Sequence, residues 1–408
     1  MWRTHKALRP AIGLLLIAGC STETAPTAAS DRDPTLTSAR PAPSGSSARE
    51  SFESRAIPAS LDWQQTARSL IAANNLSPLA AARVLAALGV AEYRAVVAAD
   101  DKHPNNGRSE FEAERGAVAA ASQTLLAFFF PSSTATLQHV FDQQSDAHPW
   151  FARGTLIGQA VGTAIVTRTM NDGFTRPFTG TIPVGPGLWI PKGPPVGPTF
   201  GQMTPWLLAS NSQFRPGPPP LFGSPSYLSA LQEIRAISDT RTPEQIAIAN
   251  YWNFPAGTFT PPGYWNSVAS SYAATYSLDE RDATHAFALT QVAFMDGLIA
   301  CWDAKYTYWF IRPPQADPAI TTVFPLPNHP SYPSGHSCGS SAAVTVLEHL
   351  FPRRTSELQG WLTELGLSRM YAGIHYRFDI DTGRQLGESV GAWAIARDAE
   401  GKLAGENP

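Results

Sequence analysis

The chain has 408 residues, with 36 prolines, 31 glycines and three cysteines, and only 15% of its residues are charged. About 25% charged is usual. A formal net charge of -3 excludes a strongly basic nucleic-acid binder, and three cysteines exclude a disulfide-dense scaffold. The 43% apolar content excludes wholesale disorder and is enough for a large core.

In chain order, Arg3, Lys6 and Arg9 precede a short apolar run that ends Ile17-Ala18-Gly19-Cys20. A basic stretch followed by a short apolar run reads as an export signal, residues 1–20. Its end resembles a bacterial lipobox, in which Cys20 would carry the lipid and become the mature N-terminus; the alternative is an ordinary cleaved signal. Ser21 rather than aspartate follows, which argues against inner-membrane retention in a Gram-negative host. The expectation is an exported protein, periplasmic or anchored to the outer membrane, that meets the membrane only through that lipid. Residues 21–55 are Ser, Thr, Ala, Pro, Arg and Asp with almost nothing large and apolar. Such a segment cannot offset its ordering entropy and is expected to be a disordered linker. The folded body is expected over 56–408. No stretch in it reaches the ~18 uninterrupted apolar residues of a spanning helix.

Helical patterns run from Leu61 to Asp100, with Ser77-Pro78 as a cap and first-turn pair, from Glu112 to Phe130, and from Trp150 to Asn171. Residues 181–225 hold 12 prolines and seven glycines and predict a long ordered loop, a frequent location of function. Helix resumes from Arg235 to Trp252, with Thr242-Pro243 before Glu244 as a start signal, and from Leu278 to Trp309, and two more helices follow Ser334 and Asp379. No period-2 run stands out. The expected class is all-α, a helical bundle with long Pro-rich loops.

Three segments carry the chemistry. In Trp302-Asp303-Ala304-Lys305-Tyr306-Thr307-Tyr308-Trp309-Phe310-Ile311-Arg312-Pro313, Lys305 and Arg312 are two helical turns apart and expected on one face with Trp302, one turn before Lys305, while Pro313 puts Arg312 near a helix end. The residues between the two cations are nearly all aromatic or apolar, so both are expected to be buried, and buried cations need an anion. In Tyr332-Pro333-Ser334-Gly335-His336-Ser337, a tight turn leads into a helix whose first N–H groups favour an oxyanion. Ser334 adds a hydroxyl, Gly335 an N–H, and His336 can move a proton. In Ser368-Arg369-Met370-Tyr371-Ala372-Gly373-Ile374-His375-Tyr376-Arg377-Phe378-Asp379, Arg369 adds a third cation. Asp379, one turn after His375, could accept its second ring N–H and fix the tautomer.

Read together, Lys-x6-Arg-Pro, then Pro-Ser-Gly-His, then Ser-Arg-x5-His-x3-Asp resembles the signature of the type-2 phosphatidic acid phosphatase superfamily, which includes the vanadium-dependent haloperoxidases. Asn75-Leu76-Ser77-Pro78, Gln213-Phe214-Arg215-Pro216 and Thr260-Pro261-Pro262-Gly263-Tyr264-Trp265 extend the resemblance to soluble bacterial members. The resemblance implies the helical-bundle fold of that group. It implies a vanadate cofactor, whose site phosphate could also occupy, held by Lys305, Arg312, Ser334, Gly335, Arg369 and His375, with Trp302 walling the halide side. His375 would be the axial vanadium ligand, or the nucleophile toward phosphorus, and His336 the acid–base group. His329, seven residues before His336, stands where algal bromoperoxidases tend to have histidine, and points to contact with peroxide or halide.

The function expected is vanadate-dependent oxidation of halide by hydrogen peroxide, with bromide or iodide favoured over chloride. Lys305 would polarise the peroxide, and a small organic substrate would take the halogen. The alternative is an acid phosphatase working through a phosphohistidine. A non-catalytic oxyanion binder and a divalent-metal hydrolase using His329, His336, His375 and Asp379 are further readings; three nearby cations oppose the metal. No nucleic-acid partner is expected, and a homo-oligomer is left open. Cys301 and Cys338 are read as packed thiols rather than a disulfide.

Overall fold

The computed structural model describes residues 57–100 and 107–405. The signal, the linker and Cys20 lie outside them. Thirteen α-helices and no strand make up the described chain, so the fold is all-α.

The N-terminal part contains α1 (Ala59–Ala73), α2 (Pro78–Asp100), α3 (Arg108–Phe129), α4 (Thr134–Gln144) and α5 (Pro149–Met170). The loop region is followed by α6 (Pro225–Thr240), α7 (Pro243–Tyr251), α8 (Thr260–Thr275) and the central α9 (Glu280–Tyr308). The short α10 (Pro313–Ala316), then α11 (Gly335–Leu350), α12 (Thr355–Tyr371) and α13 (Arg377–Ala399) complete it.

Several boundaries differ from the expected ones. The pattern from Leu61 to Asp100 is two helices, because Asn75 takes a positive φ of 52° that breaks the ladder before the Ser77-Pro78 start. The pattern from Arg235 to Trp252 is also two, divided where Thr242 forms a capping box with Gln245. The helices α4 and α8 carry weak apolar periodicity and had no expectation attached. The stretch 181–225 is irregular apart from one short turn of 3-10 helix, Phe200–Gln202.

The helix α9 is apolar nearly all round and buried along its length, as expected of a helix enclosed by others. Small residues let its neighbours approach: a Cβ on Gly89 of α2 would meet the Ala288 backbone at 2.9 Å, and one on Gly297 would meet the Cys338 carbonyl at 3.1 Å. Its N-terminal end holds α1 in place. The buried Glu280 carboxylate accepts the N–H groups of Ala59 at 2.6 Å and Ser60 at 3.0 Å, doing for a distant helix what an N-cap side chain does locally.

The proline-rich loop is pinned to the same helix. Buried Asp296 accepts the N–H groups of Trp206 (2.9 Å), Leu207 (2.8 Å) and Leu208 (3.1 Å). Burial raises its pKa, and those three donors oppose the rise. Further along, Arg215 makes a two-bond pair with Asp303 at 2.6 and 2.7 Å. Asn328 ties the strip around residues 192–196 to the 313–333 loop, accepting from Lys192 N–H at 2.9 Å and donating to the Pro194 carbonyl at 2.7 Å. Both loops thereby reach the C-terminal end of α9.

Candidate active site

Lys305 and Arg312 do not share a helix face as expected: Trp309 ends α9 in a left-handed conformation, φ 51°, and the extended Arg312 comes back beside the last helical turn. Lys305, on that turn, is fully buried. Its ammonium donates to the carbonyls of Pro330 (2.9 Å) and Ser331 (2.8 Å) and lies 5.6 Å from the Trp302 ring centre. Burial pulls its pKa down to about 8, and Arg312 adds to the lowering. Arg312, also fully buried, donates to the carbonyls of His329 (2.9 Å) and Ile374 (2.8 Å) and lies 3.2 Å from His329 Nδ1. The same Nδ1 lies 3.2 Å from the Pro330 carbonyl, so it faces a donor and an acceptor at once. Arg369 donates to Ser368 Oγ at 2.9 Å and to the Ala249 carbonyl at 3.0 Å. Burial brings the Arg312 pKa to about 10 and that of Arg369 to about 9.

Ser334 caps α11, its Oγ accepting Ser337 N–H at 3.5 Å, which leaves its proton free to donate. Gly335 opens the helix, where first-turn N–H groups have no helical acceptor. Its lack of a side chain is required: a Cβ would lie 2.9 Å from the Trp302 ring. Trp302 is nearly buried, its Nε1 3.3 Å from the Val196 carbonyl and its ring 5.1 Å from that of His329.

Two imidazoles complete the cluster. His375 Nδ1 pairs with Asp379 Oδ2 at 2.8 Å, leaving Nε2 for chemistry. The same carboxylate oxygen accepts the Ser331 hydroxyl at 2.5 Å and Tyr376 N–H at 3.2 Å. Burial pushes the Asp379 pKa up to about 6 against these donors. His336 is held toward the carbonyls of Trp252 and Asn253, and its Nε2 is buried without a partner. Burial takes the pKa of both histidines well below the ordinary value. Arg369 and Lys305 add to the effect at His336, and Arg312, Lys305, His329 and His336 add to it at His375. His329 is shifted the same way by burial and by both cations.

The structure thus brings together Lys305, Arg312, Ser334, Gly335, Arg369, His375, Asp379, His336, Trp302 and His329. Sequence reasoning missed the end of α7 and the turn after it: Ala249, Trp252 and Asn253 supply carbonyls that position Arg369 and His336, and backbone acceptors leave no residue-type signal. It also missed Ser331, which links Lys305 to the Asp379–His375 pair through its carbonyl and hydroxyl. The four residues of the divalent-metal reading do not bring three ligand atoms together. Among the described residues the group that does is Asp100, Glu110 and Glu114, on α2 and α3.

Three buried cations and one buried carboxylate leave an excess of positive charge that nothing in this cluster neutralises. Arg369 Nη1 and His336 Nε2, both buried and unpartnered, add an unused donor and an unused acceptor. A tetrahedral oxyanion fits this set: guanidiniums and N–H groups bond its oxygens, and the imidazoles serve its apices.

Residues 284–400 match the model of the PAP2 superfamily. A non-specific acid phosphatase of Providencia stuartii is 30% identical over 176 residues, 41% of this chain and 67% of that protein. The chain belongs to the PAP2 superfamily. The vanadium chloroperoxidase of Curvularia inaequalis is 26% identical over 232 residues, 45% of this chain. That match spans only 38% of the fungal protein's own length. The crystal structure of a bacterial vanadium-dependent iodoperoxidase superposes with a TM-score of 0.68 at 25% identity, covering 83% of this chain and 95% of that one. Within the PAP2 superfamily the chain is therefore similar both to haloperoxidases and to acid phosphatases.

Proposed function

We propose that this PAP2-superfamily chain is a vanadate-dependent haloperoxidase that oxidises iodide or bromide with hydrogen peroxide. The observation that carries the reading is the extent of the likeness: the iodoperoxidase fold accounts for 83% of this chain, including helices and loops that precede the signature. Trp302 against Gly335, with His329 beside it, supports a wall suited to a polarisable halide.

Lys305, Arg312 and Arg369 would hold the oxygens of vanadate, joined by Ser334 and the Gly335 N–H, and His375 Nε2 would be the ligand atom. Bound vanadate, at its highest oxidation state throughout, supplies the Lewis acidity that makes peroxide electrophilic toward halide. The protein's share is charge, orientation and protons. Asp379 fixes the His375 tautomer so that Nε2 is the ligand atom. Lys305 withdraws charge from the oxygen that the halide attacks. His336, kept neutral by burial and by two cations, is ready to take the peroxide proton at Nε2 and to return it to the leaving oxygen.

The likeness to the Providencia phosphatase supports a second reading. There His375 Nε2 would attack phosphorus, and His336 would protonate the leaving alcohol once the bound dianion had raised its pKa. The discriminating experiment is purification without phosphate, addition of orthovanadate, and assay of peroxide-dependent bromination of phenol red beside hydrolysis of p-nitrophenyl phosphate. Bromination is the expected result. Hydrolysis that vanadate inhibits, without bromination, would replace the first reading with the second. Export, a lipid on Cys20, and a small electron-rich organic acceptor belong to the same proposal.

A further inference from the structure

The end of α7 and the turn after it, which hold Arg369 and His336, also carry an exposed reactive group. Ala249 accepts from Arg369 at 3.0 Å, and Trp252 and Asn253 present their carbonyls to His336. Tyr251 stands between them. Its Cα is therefore one step of about 3.8 Å from Trp252 and two from Ala249. Its side chain is 55% accessible. Of the 11 tyrosines in the chain, it is the one in the exposed class; the others are buried or half-buried. The ring meets Trp252 edge-on at 5.2 Å and Phe254 at 5.8 Å, and its hydroxyl neighbours that of Tyr264. These contacts hold one side of the ring while solvent reaches the other.

We propose that Tyr251 is a modification site, at which the enzyme iodinates itself when oxidised iodine leaves the pocket and meets no organic acceptor; this rests on the haloperoxidase reading. A phenol ring reacts with electrophilic iodine at the carbons beside its hydroxyl. Hydrogen peroxide oxidises iodide to hypoiodous acid at the site, its own oxygens being reduced. A Tyr251 ring carbon then forms the C–I bond as the I–O bond breaks. The ring C–H bond breaks in turn, its electron pair restoring the aromatic ring, and the proton joins the departing hydroxide as water. The thiols Cys301 and Cys338 do not compete, because both are fully buried. Position rather than exposure alone is the claim: Tyr251 intercepts the oxidant before it mixes with bulk solvent.

The test uses the vanadate-loaded full chain with iodide and peroxide, with triiodide followed by absorbance and the protein by peptide mass spectrometry. One arm adds free methionine or phenol as a bulk scavenger. A parallel arm replaces peroxide with added hypoiodite plus the same scavenger. The expected result is iodotyrosine at Tyr251 that survives the scavenger during turnover and is lost with added hypoiodite. Tyr251→Phe should keep triiodide production and lose that labelled peptide. Scavenger that removes the label equally in both arms overturns the proposal, as does turnover that labels Tyr276 or Tyr371 in preference. Triiodide without label at Tyr251 removes the proposal alone. No triiodide at any vanadate concentration removes the haloperoxidase reading and the proposal with it.

Discussion

Replacing Lys305 by methionine separates what the cation costs from what it does. The ammonium is fully buried, held by two carbonyls, and has a pKa of about 8 against 10.5 in a free lysine. Between those values the unfolded chain keeps a proton that the folded chain has lost, so stability rises with pH across that window. At neutral pH the buried charge costs about 3 kcal/mol, and about 2 kcal/mol of this is recovered by pH 9.5. For about 350 ordered residues the unfolding entropy is about 0.7 kcal/mol/K, so the recovery is worth ~3 °C in Tm. Lys305→Met lacks this term. In phosphate-free buffer at fixed ionic strength, Tm of the wild type minus Tm of the variant should therefore increase by ~3 °C from pH 7 to 9.5. Taking the difference cancels titrations common to both proteins. Saturating phosphate, already a dianion above pH 8, should remove the pH dependence by holding Lys305 protonated, and should stabilise the wild type more than the variant. A difference that stays flat with pH in the absence of phosphate would refute the account of Lys305 as a desolvated cation awaiting an anion.

His336→Ala should abolish turnover while keeping the phosphate-induced rise in Tm, since the three cations and the α11 N-terminus remain; loss of that rise would mean His336 is needed for binding itself. Asp379→Asn should lower turnover, or affinity for vanadate, by roughly 10–100-fold, measured by steady-state kinetics and isothermal titration, because the Nδ1 partner that orients His375 loses its charge. Asp296→Ala should lower Tm by ~4 °C or more in differential scanning fluorimetry, since three buried N–H groups lose their acceptor at about 1 kcal/mol or more each.

Much of the site was legible because its residues are chemically scarce. In a chain with only 15% charged residues, Lys305 and Arg312 within an aromatic run could be placed in a buried, anion-seeking environment. Asp379 could be paired with His375 from a one-turn spacing. Backbone geometry was less legible. The break at Asn75 is a local conformational choice inside otherwise helical composition, whereas the helix start at Thr242-Pro243 carried its own signal. Backbone carbonyls such as those of Ala249, Trp252, Pro330 and Ser331 are present in every residue, and only the folded path aims them at a guanidinium, an imidazole or an ammonium. Asp296 stands within the helix expected from Leu278 to Trp309, but its three N–H donors lie 88 to 90 residues away, a separation that no periodic pattern reports.

The Glu280 cap gives α9 a mechanical division of labour. The first described turn of the chain is fastened to the N-terminal end of α9, and Lys305 sits 25 residues further along, roughly 38 Å by helical rise. A pull on the chain ahead of Ala59 would enter the bundle at Glu280 and be shared with α1 and α2 before it reached the cations. Fixing a protein of this kind to a surface through its N-terminus should therefore leave its active site unloaded.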